Sequence, residues 1–217
     1  AYLCPIFLAE PEGGVFLADS HNLWREIRTD CFPADRSALF LDRDGTVIEL
    51  VDYLADPAKV RLIGAAVTAI QEANRAGRAV VLVTNQSGVG RGYFGWDEFH
   101  AVQDRMHDLL KAEGAVIDAV YACPHPPPEA GGPLSSAYRK PAPGMLLQAA
   151  EDVKLDLSAS RIVGDGVSDL AAGKAAGLPS GVFVASRYGQ GEREKCAALQ
   201  EDSFRVLFAS RDRWPVY

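Results

Sequence analysis

Residues 37–50 read SALFLDRDGTVIEL, and the interpretation of this stretch decides the fold. Ala38 to Leu41 are four consecutive apolar residues, followed by Asp42, Arg43, Asp44, Gly45 and Thr46. A short apolar run without polar alternation fits a strand buried on both faces, as in a parallel sheet covered by helices. Side chains alternate along a strand, so Asp42 and Asp44 fall on one side of the chain where it leaves the sheet. Two carboxylates on one side repel unless a cation or a proton is shared between them. The stretch therefore expects a metal ion or stores electrostatic strain.

Outward from this stretch, the pattern alternates strand with helix. Residues 64–77 carry Ala65, Val67, Ile70 and Ala73 near helical spacing, closed by Gly77. Residues 78–85 read as a second buried strand and 96–114 as a long amphipathic helix with an inner stripe of Phe99, Val102, Met106 and Leu109 or Leu110. A third strand is expected over 116–124. It is followed by a loop rich in Pro and Gly and by a helix with Pro143 in its first turn. The segment SRIVGDG is a fourth strand ending in a carboxylate, SDLAAGKAAG a helix begun by Ser168 or Asp169, and GVFVAS a fifth strand. A short helix and a strand at FRVLF close the chain. Strands alternating with helices predict an α/β fold, a three-layer Rossmann-like parallel sheet with helices on both faces. Residues 1–36 read as an irregular extension packed on this core, with Leu23, Trp24 and Ile27 of NLWREI as its anchor.

The bulk properties exclude several classes. A chain of 217 residues, 48% hydrophobic, can bury one good core. Its net charge of −7 opposes a nucleic-acid surface, which needs clustered Lys and Arg. Cys4, Cys31, Cys123 and Cys196 are scattered, without a Cys-x-x-Cys pair, which fits a reduced, cytoplasmic setting. No apolar run approaches the roughly 20 residues of a membrane span, and the N-terminus does not read as a signal peptide.

In an open parallel sheet, ligands sit outside the carboxyl ends of the strands. The first strand delivers Asp42, Arg43 and Asp44 there, and the second Thr84, Asn85, Gln86 and Ser87. The loop before the Pro143 helix brings Arg139 and Lys140, and the fourth strand brings Asp165, with Asp169 following. Acidic metal ligands, a hydroxyl, amides and two fixed cations form an inventory for a phosphate held against Mg²⁺, an ion that favours oxygen ligands.

The segments DRDGT, VLVTNQSG, RKPAPGM and VGDGVSD resemble, in order and spacing, the four motifs of the haloacid dehalogenase superfamily of phosphatases. The resemblance implies a phosphoric monoester hydrolase domain over 37–217. Asp42 would be the nucleophile that forms an aspartyl-phosphate, and Asp44 the general acid and then base. Thr84 and Lys140 would hold the transferring phosphoryl group. Asp42, Asp44 (through its backbone carbonyl) and Asp165 would bind Mg²⁺, with Asp169 a ligand or a brace. Neither gap between motifs is long enough for an inserted cap domain, so a capless, open site is expected.

Within that superfamily, FLDRDGT, VTNQSGVGRG, YACPHPP and RKPAPGML resemble the D-glycero-D-manno-heptose 1,7-bisphosphate phosphatases and their relatives, the histidinol-phosphate phosphatases. This implies a monomer that removes the 7-phosphate of the heptose bisphosphate. Its substrate contacts would fall on Arg43, Asp52, Tyr53, Asn85, Gln86, Ser87 and Arg139. Two departures are visible. The group often binds zinc through Cys-x-His and Cys-x-Cys; here Cys123 and His125 survive, but Ser136 and Tyr138 replace the second pair, so no zinc is expected. Gly166 stands where the group often has a lysine. The partner expected is a small phosphorylated metabolite, with no nucleic acid and no membrane. A histidinol-phosphate or other small-metabolite phosphatase stays open as an alternative, with a polynucleotide 3′-phosphatase and a non-catalytic phosphosugar-binding protein behind it.

Overall fold

The run Ala38–Leu41 is strand β3, buried along its whole length, and it lies in the middle of the sheet. The structure is a computed structural model that describes residues 15–18, 23–28, 35–133, 135–185, 189–210 and 212–215. Cys4, Cys31 and most of the extension expected over 1–36 lie outside the described residues.

The sheet has the order β1-β2-β5-β4-β3-β6-β7-β8. Its strands are β1 Val15–Ala18, β2 Trp24–Ile27, β3, β4 Ala79–Asn85, β5 Ala119–Cys123, β6 Arg161–Gly164, β7 Ser180–Val184 and β8 Arg205–Ala209. Strands β3 to β8 pair in parallel. Strands β1 and β2 add an antiparallel edge through β5. The described helices are α1 Gly64–Arg75, α2 Ser87–Gly90, α3 Trp96–Ala112, α4 Gly144–Val153, α5 Val167–Ala175 and α6 Gly189–Ala197. Segments 42–78 and 86–118 are described throughout and contain no inserted domain, so the site is capless.

Alternation along the strands divides the core in two. Leu39, Leu41, Leu82, Val120 and Val163 face α1 and α3, whose Ile70, Phe99, Val102 and Met106 are fully buried. Phe40, Val81, Val83, Tyr121 and Ile162 face α4 and α5 through Met145, Leu146 and Leu170. Each central strand is thus apolar on both sides, as the unbroken runs in the sequence require.

The segment NLWREI differs from its reading as irregular chain. Its Trp24–Ile27 is a strand that pairs with β5, Trp24 opposite Ala122. Its inward residues are Trp24 and Glu26. A buried glutamate breaks the apolar alternation by which a strand is recognised, while Leu23, Trp24 and Ile27 mimic helical spacing. Trp24 stacks on Trp96 at 5.1 Å and meets the edge of Phe99 at 5.8 Å, which anchors the edge to α3. Helix α5 also begins earlier than expected. Its N-cap is Gly166, whose N–H donates to the carboxylate of Asp169 in the first turn of the helix.

The direction of travel reverses at β3. The chain runs outward through β4 and β5 on one side and through β6, β7 and β8 on the other. A crevice at the carboxyl ends of β3 and β6 follows from that reversal.

Candidate active site

Strand β3 delivers Asp42 to the crevice, and the Asp42 N–H donates to Val163 O at 3.0 Å, which ties its end to β6. The chain then turns tightly. Val47 and Ile48 N–H groups donate to Arg43 O at 2.9 and 3.0 Å, and Gly45 adopts φ +85°, a left-handed conformation that suits glycine. Beyond β6, the Asp169 carboxylate accepts the Gly166 N–H at 3.0 Å. It lies so close to β6 that a Cβ on Gly164 would sit 2.4 Å from it. Glycine at 164 therefore makes room for Asp169.

These two strand ends and the loop before α4 converge. Lys140 Nζ lies 2.6 Å from Asp42 Oδ1 and 2.7 Å from Asp169 Oδ1, and it donates to Val83 O at 2.7 Å. Carboxylate oxygens of Asp42, Asp165 and Asp169 lie within 4.8 Å of one another, and all three residues are buried. Burial alone would pull the Lys140 pKa down, but Asp169 and Asp42 outweigh it and hold the ammonium charged. Asp42 is pushed the other way, well above the usual carboxylate range. Burial is the main cause; Lys140 opposes it, and Asp169, Asp165 and Asp44 add to it. Lys140 thus gains from two carboxylates, while Asp42 is buried among acids that share that single ammonium. An oxygen-only set with excess negative charge fits a hard divalent cation such as Mg²⁺.

Asp44 is not part of that carboxylate group. Its carboxylate takes a forked pair of bonds from Arg43, Nε to Oδ2 and Nη2 to Oδ1, both at 3.1 Å, and one from Gln86 Nε2 at 2.8 Å. Arg43 and Gln86 engage this carboxylate, and the metal role expected of Asp44 concerns its backbone carbonyl, not this side chain. The expectation for Arg43 is corrected. Instead of facing substrate, its side chain is buried, donates to Gln103 Oε1 at 3.0 Å and lies over the Phe99 ring at 5.2 Å. Gln103, fully buried on α3, is a partner that the sequence reading missed. Its signal was a lone glutamine inside the apolar stripe of that helix.

The end of β4 is also more internal than expected. Thr84 Oγ1 accepts from Gln86 Nε2 at 2.8 Å. Asn85 clamps the Lys140 backbone twice, donating Nδ2 to Lys140 O and accepting Lys140 N–H, both at 3.0 Å. Its side-chain amide thus places the Lys140 backbone. Ser136, one of the two residues in place of the second cysteine pair, organises the Pro-rich loop. Its Oγ lies 2.8 Å from His125 Nδ1 and 3.8 Å from Cys123 Sγ, and it accepts the Arg139 N–H at 3.1 Å. Arg139 Nη1 donates to His125 O at 2.8 Å.

A cavity of about 690 Å³ opens above the acids, with Asp42, Thr84, Arg139, Lys140 and Asp165 in its wall. A second, of about 260 Å³, holds Asp52, Tyr53, Gln86 and Ser87. Asp44, Leu50 and Asn85 line both, so the two are continuous along the crevice. A cavity of about 810 Å³ lies elsewhere, between α1 and the C-terminal segment around Trp214, with none of the residues above in its wall.

Comparison with known proteins places this geometry in context. A family model described as HAD-hydrolase-like matches residues 137–207. The D-glycero-beta-D-manno-heptose-1,7-bisphosphate 7-phosphatase of Mesorhizobium japonicum is 52% identical over 157 residues, which is 70% of this chain and 71% of that protein. The corresponding enzyme for the alpha anomer from Burkholderia mallei is 40% identical over 152 residues, 69% of this chain and 80% of that protein. Among solved structures, a HAD-like phosphatase from Mesorhizobium loti superposes with a TM-score of 0.74 at 44% identity, covering 85% of this chain and 86% of that one. The D,D-heptose 1,7-bisphosphate phosphatase of B. bronchiseptica, solved with magnesium and phosphate, superposes with a TM-score of 0.66 at 34% identity, covering 78% and 91%.

Proposed function

Because the chain belongs to the haloacid dehalogenase-like hydrolases, and is with them a phosphoric monoester hydrolase, we propose that it removes the 7-phosphate of D-glycero-D-manno-heptose 1,7-bisphosphate, with Mg²⁺, through an aspartyl-phosphate. The observation that carries this reading is Lys140 Nζ bridging Asp42 and Asp169 at the carboxyl ends of β3 and β6, with Asp165 beside them under an open cavity.

Asp42 attacks phosphorus through a carboxylate oxygen, and the bond from phosphorus to the sugar oxygen breaks. Asp44 gives that oxygen a proton. Water then attacks the phosphoryl group on Asp42, Asp44 takes the proton from the water, and the acyl-phosphate bond breaks to release inorganic phosphate and restore Asp42. Splitting one displacement into two lowers each barrier. Arg43 and Gln86 hold the Asp44 carboxylate in position for both proton transfers. Lys140 and Thr84 fix the phosphoryl group, and Asn85 fixes Lys140. Asp42 and Asp165, with the Asp44 backbone carbonyl, would hold Mg²⁺, while Asp169 braces Lys140. When bound, the ion neutralises charge that builds on the phosphoryl oxygens.

The test is phosphate release from the heptose bisphosphate with Mg²⁺ present. One equivalent per substrate is expected, lost on chelation and regained when Mg²⁺ is returned, with zinc unable to substitute. Two equivalents, or release that survives chelation, would contradict the reading.

A further inference from the structure

The amino ends of the parallel strands, opposite the end that carries the acids, hold a row of cations. Arg36 precedes β3, Arg78 precedes β4, Arg161 opens β6 and Arg205 opens β8. Such a row stands out in a chain of net charge −7. Arg36 has a structural task. Its Nε donates to Gly77 O at 3.0 Å behind α1, and its Nη2 lies 3.8 Å from Asp118 Oδ2.

Arg161 and Arg205 are placed differently. Register sets Arg161 opposite Ser180 and Ser180 opposite Arg205, so the three side chains leave one face of the sheet from adjacent strands about 4.8 Å apart. It is the face that carries Val163, Val182 and Leu207, two residues further along each strand. Ser180 is 5% exposed, and its Oγ is buried without a hydrogen-bond partner. Arg161 Nη1 is likewise buried without a partner. Burial, then the like charges of Arg78 and Arg205, pull the Arg161 pKa down, and no acid counters them.

Two buried donors at one level of one face are costly unless an acceptor reaches both. An arginine that only covers apolar surface with its stem keeps its head in water, and one that caps a helix aims at a carbonyl. Arg161 Nη1 does neither. The group that satisfies this set carries several acceptor oxygens and negative charge. A planar guanidinium takes a phosphate through two parallel bonds, and the serine hydroxyl donates a third. A carboxylate would match one guanidinium and leave the other cation uncompensated, whereas a phosphate group has charge for both.

The geometry points to a second phosphate-binding site at the amino ends of β6, β7 and β8, formed by Arg161, Ser180 and Arg205, with Arg78 adding to its field. It lies roughly 13 Å along β6 from Asp165, apart from the catalytic crevice. Its ligand is inorganic phosphate or a phosphate monoester, held without metal. The site does not depend on which phosphate ester the crevice hydrolyses.

The test titrates inorganic phosphate, and in a second arm glycerol 3-phosphate, into wild type, Arg161→Met, Arg205→Met and Ser180→Ala, with a chelator present and chloride holding the ionic strength constant. Backbone amide shifts locate the ligand. Wild type should show saturable shifts over residues 178–181 and 203–206, besides those at the catalytic end. Both methionine variants should lose the first set and keep the second. Ser180→Ala should raise the half-saturating concentration about fivefold, the scale of one hydrogen bond. At ten times the wild-type half-saturating concentration, phosphate should lower the unfolding constant of wild type about tenfold more than that of Arg205→Met. Arg205 is exposed, so its replacement is tolerated and keeps the test decisive even where Arg161→Met does not fold. Turnover should be unchanged in Arg205→Met. Shifts with inorganic phosphate support the site with the free ion as ligand; shifts with glycerol 3-phosphate alone support it with an ester. No shifts at these segments with either ligand, shifts that persist in Arg205→Met, or equal shifts with chloride alone would overturn the inference.

Discussion

Two of the buried polar clusters among the described residues are built differently. The first joins Asp42, Asp165 and Asp169 to Lys140 at the centre of the sheet. The second joins Glu26 on β2 to Arg28 and to His107 on α3, with His107 Nε2 3.6 Å from Glu26 Oε1. The second is balanced. Burial raises the Glu26 pKa and Arg28 lowers it, while burial, followed by Arg28 and His100, drops that of His107 to about 3 and leaves the ring neutral. It docks the antiparallel edge onto a helix. The first has more carboxylates than cations and opens on a cavity of about 690 Å³. A buried charge that is matched and enclosed belongs to the fold; an excess that faces a cavity belongs to chemistry.

Substitutions can sharpen or break that contrast. The largest effect is expected for Asp42→Asn, which should lower kcat by roughly 10⁴-fold or more, with unchanged circular dichroism. His107→Gln, in the other cluster, should keep wild-type kcat. Comparable activity losses in the two variants would erase the distinction.

Lys140→Met comes next. Removing the ammonium leaves Asp42 and Asp169 buried without their shared cation, a change that costs about 3–5 kcal/mol. Denaturant unfolding should show that loss in the presence of a chelator, and added Mg²⁺ should recover part of it. A variant as stable as wild type under chelation would mean that the carboxylates are not held together against their repulsion.

The smallest effect is a pH dependence. The unfolded chain carries His107 with its ordinary pKa near 6.5, and the folded chain holds it near 3. Between those values the unfolded state binds a proton that the folded state refuses. Stability present above about pH 6.5 is therefore lost as pH falls, by up to about 1.4 kcal/mol per pH unit from this group. His107→Gln should flatten the slope of unfolding free energy between pH 6.5 and 5. An unchanged slope would remove His107 as its source.

The same contrast explains what could be read from the sequence. The central strands are apolar on both faces, so their runs are continuous and their carboxyl ends easy to find, and Asp42, Thr84 and Asp165 are placed from those ends; Lys140, in the loop before α4, is read from its motif. Strand β2 hides because its second inward residue is Glu26, whose partner His107 meets it only in three dimensions. Arg43 misled for the opposite reason. Flanked by two site aspartates, it reads as a substrate contact, but its side chain turns back to Gln103, sixty positions away. Asn85 hides its role likewise, since its clamp on Lys140 spans 55 positions. Spacing along a chain reports which strand end a residue reaches. It does not report which way a long polar side chain turns once there.

The central claim is that Asp42 carries the phosphoryl group, and rapid-quench labelling tests it most directly. Substrate with radiolabelled 7-phosphate, mixed with enzyme and Mg²⁺ and stopped in acid within the first turnover, should leave label on the peptide containing Asp42. The label should decay as inorganic phosphate appears and should be missing in Asp42→Asn. Full turnover with no label on the protein, or with label on another peptide, would contradict the account.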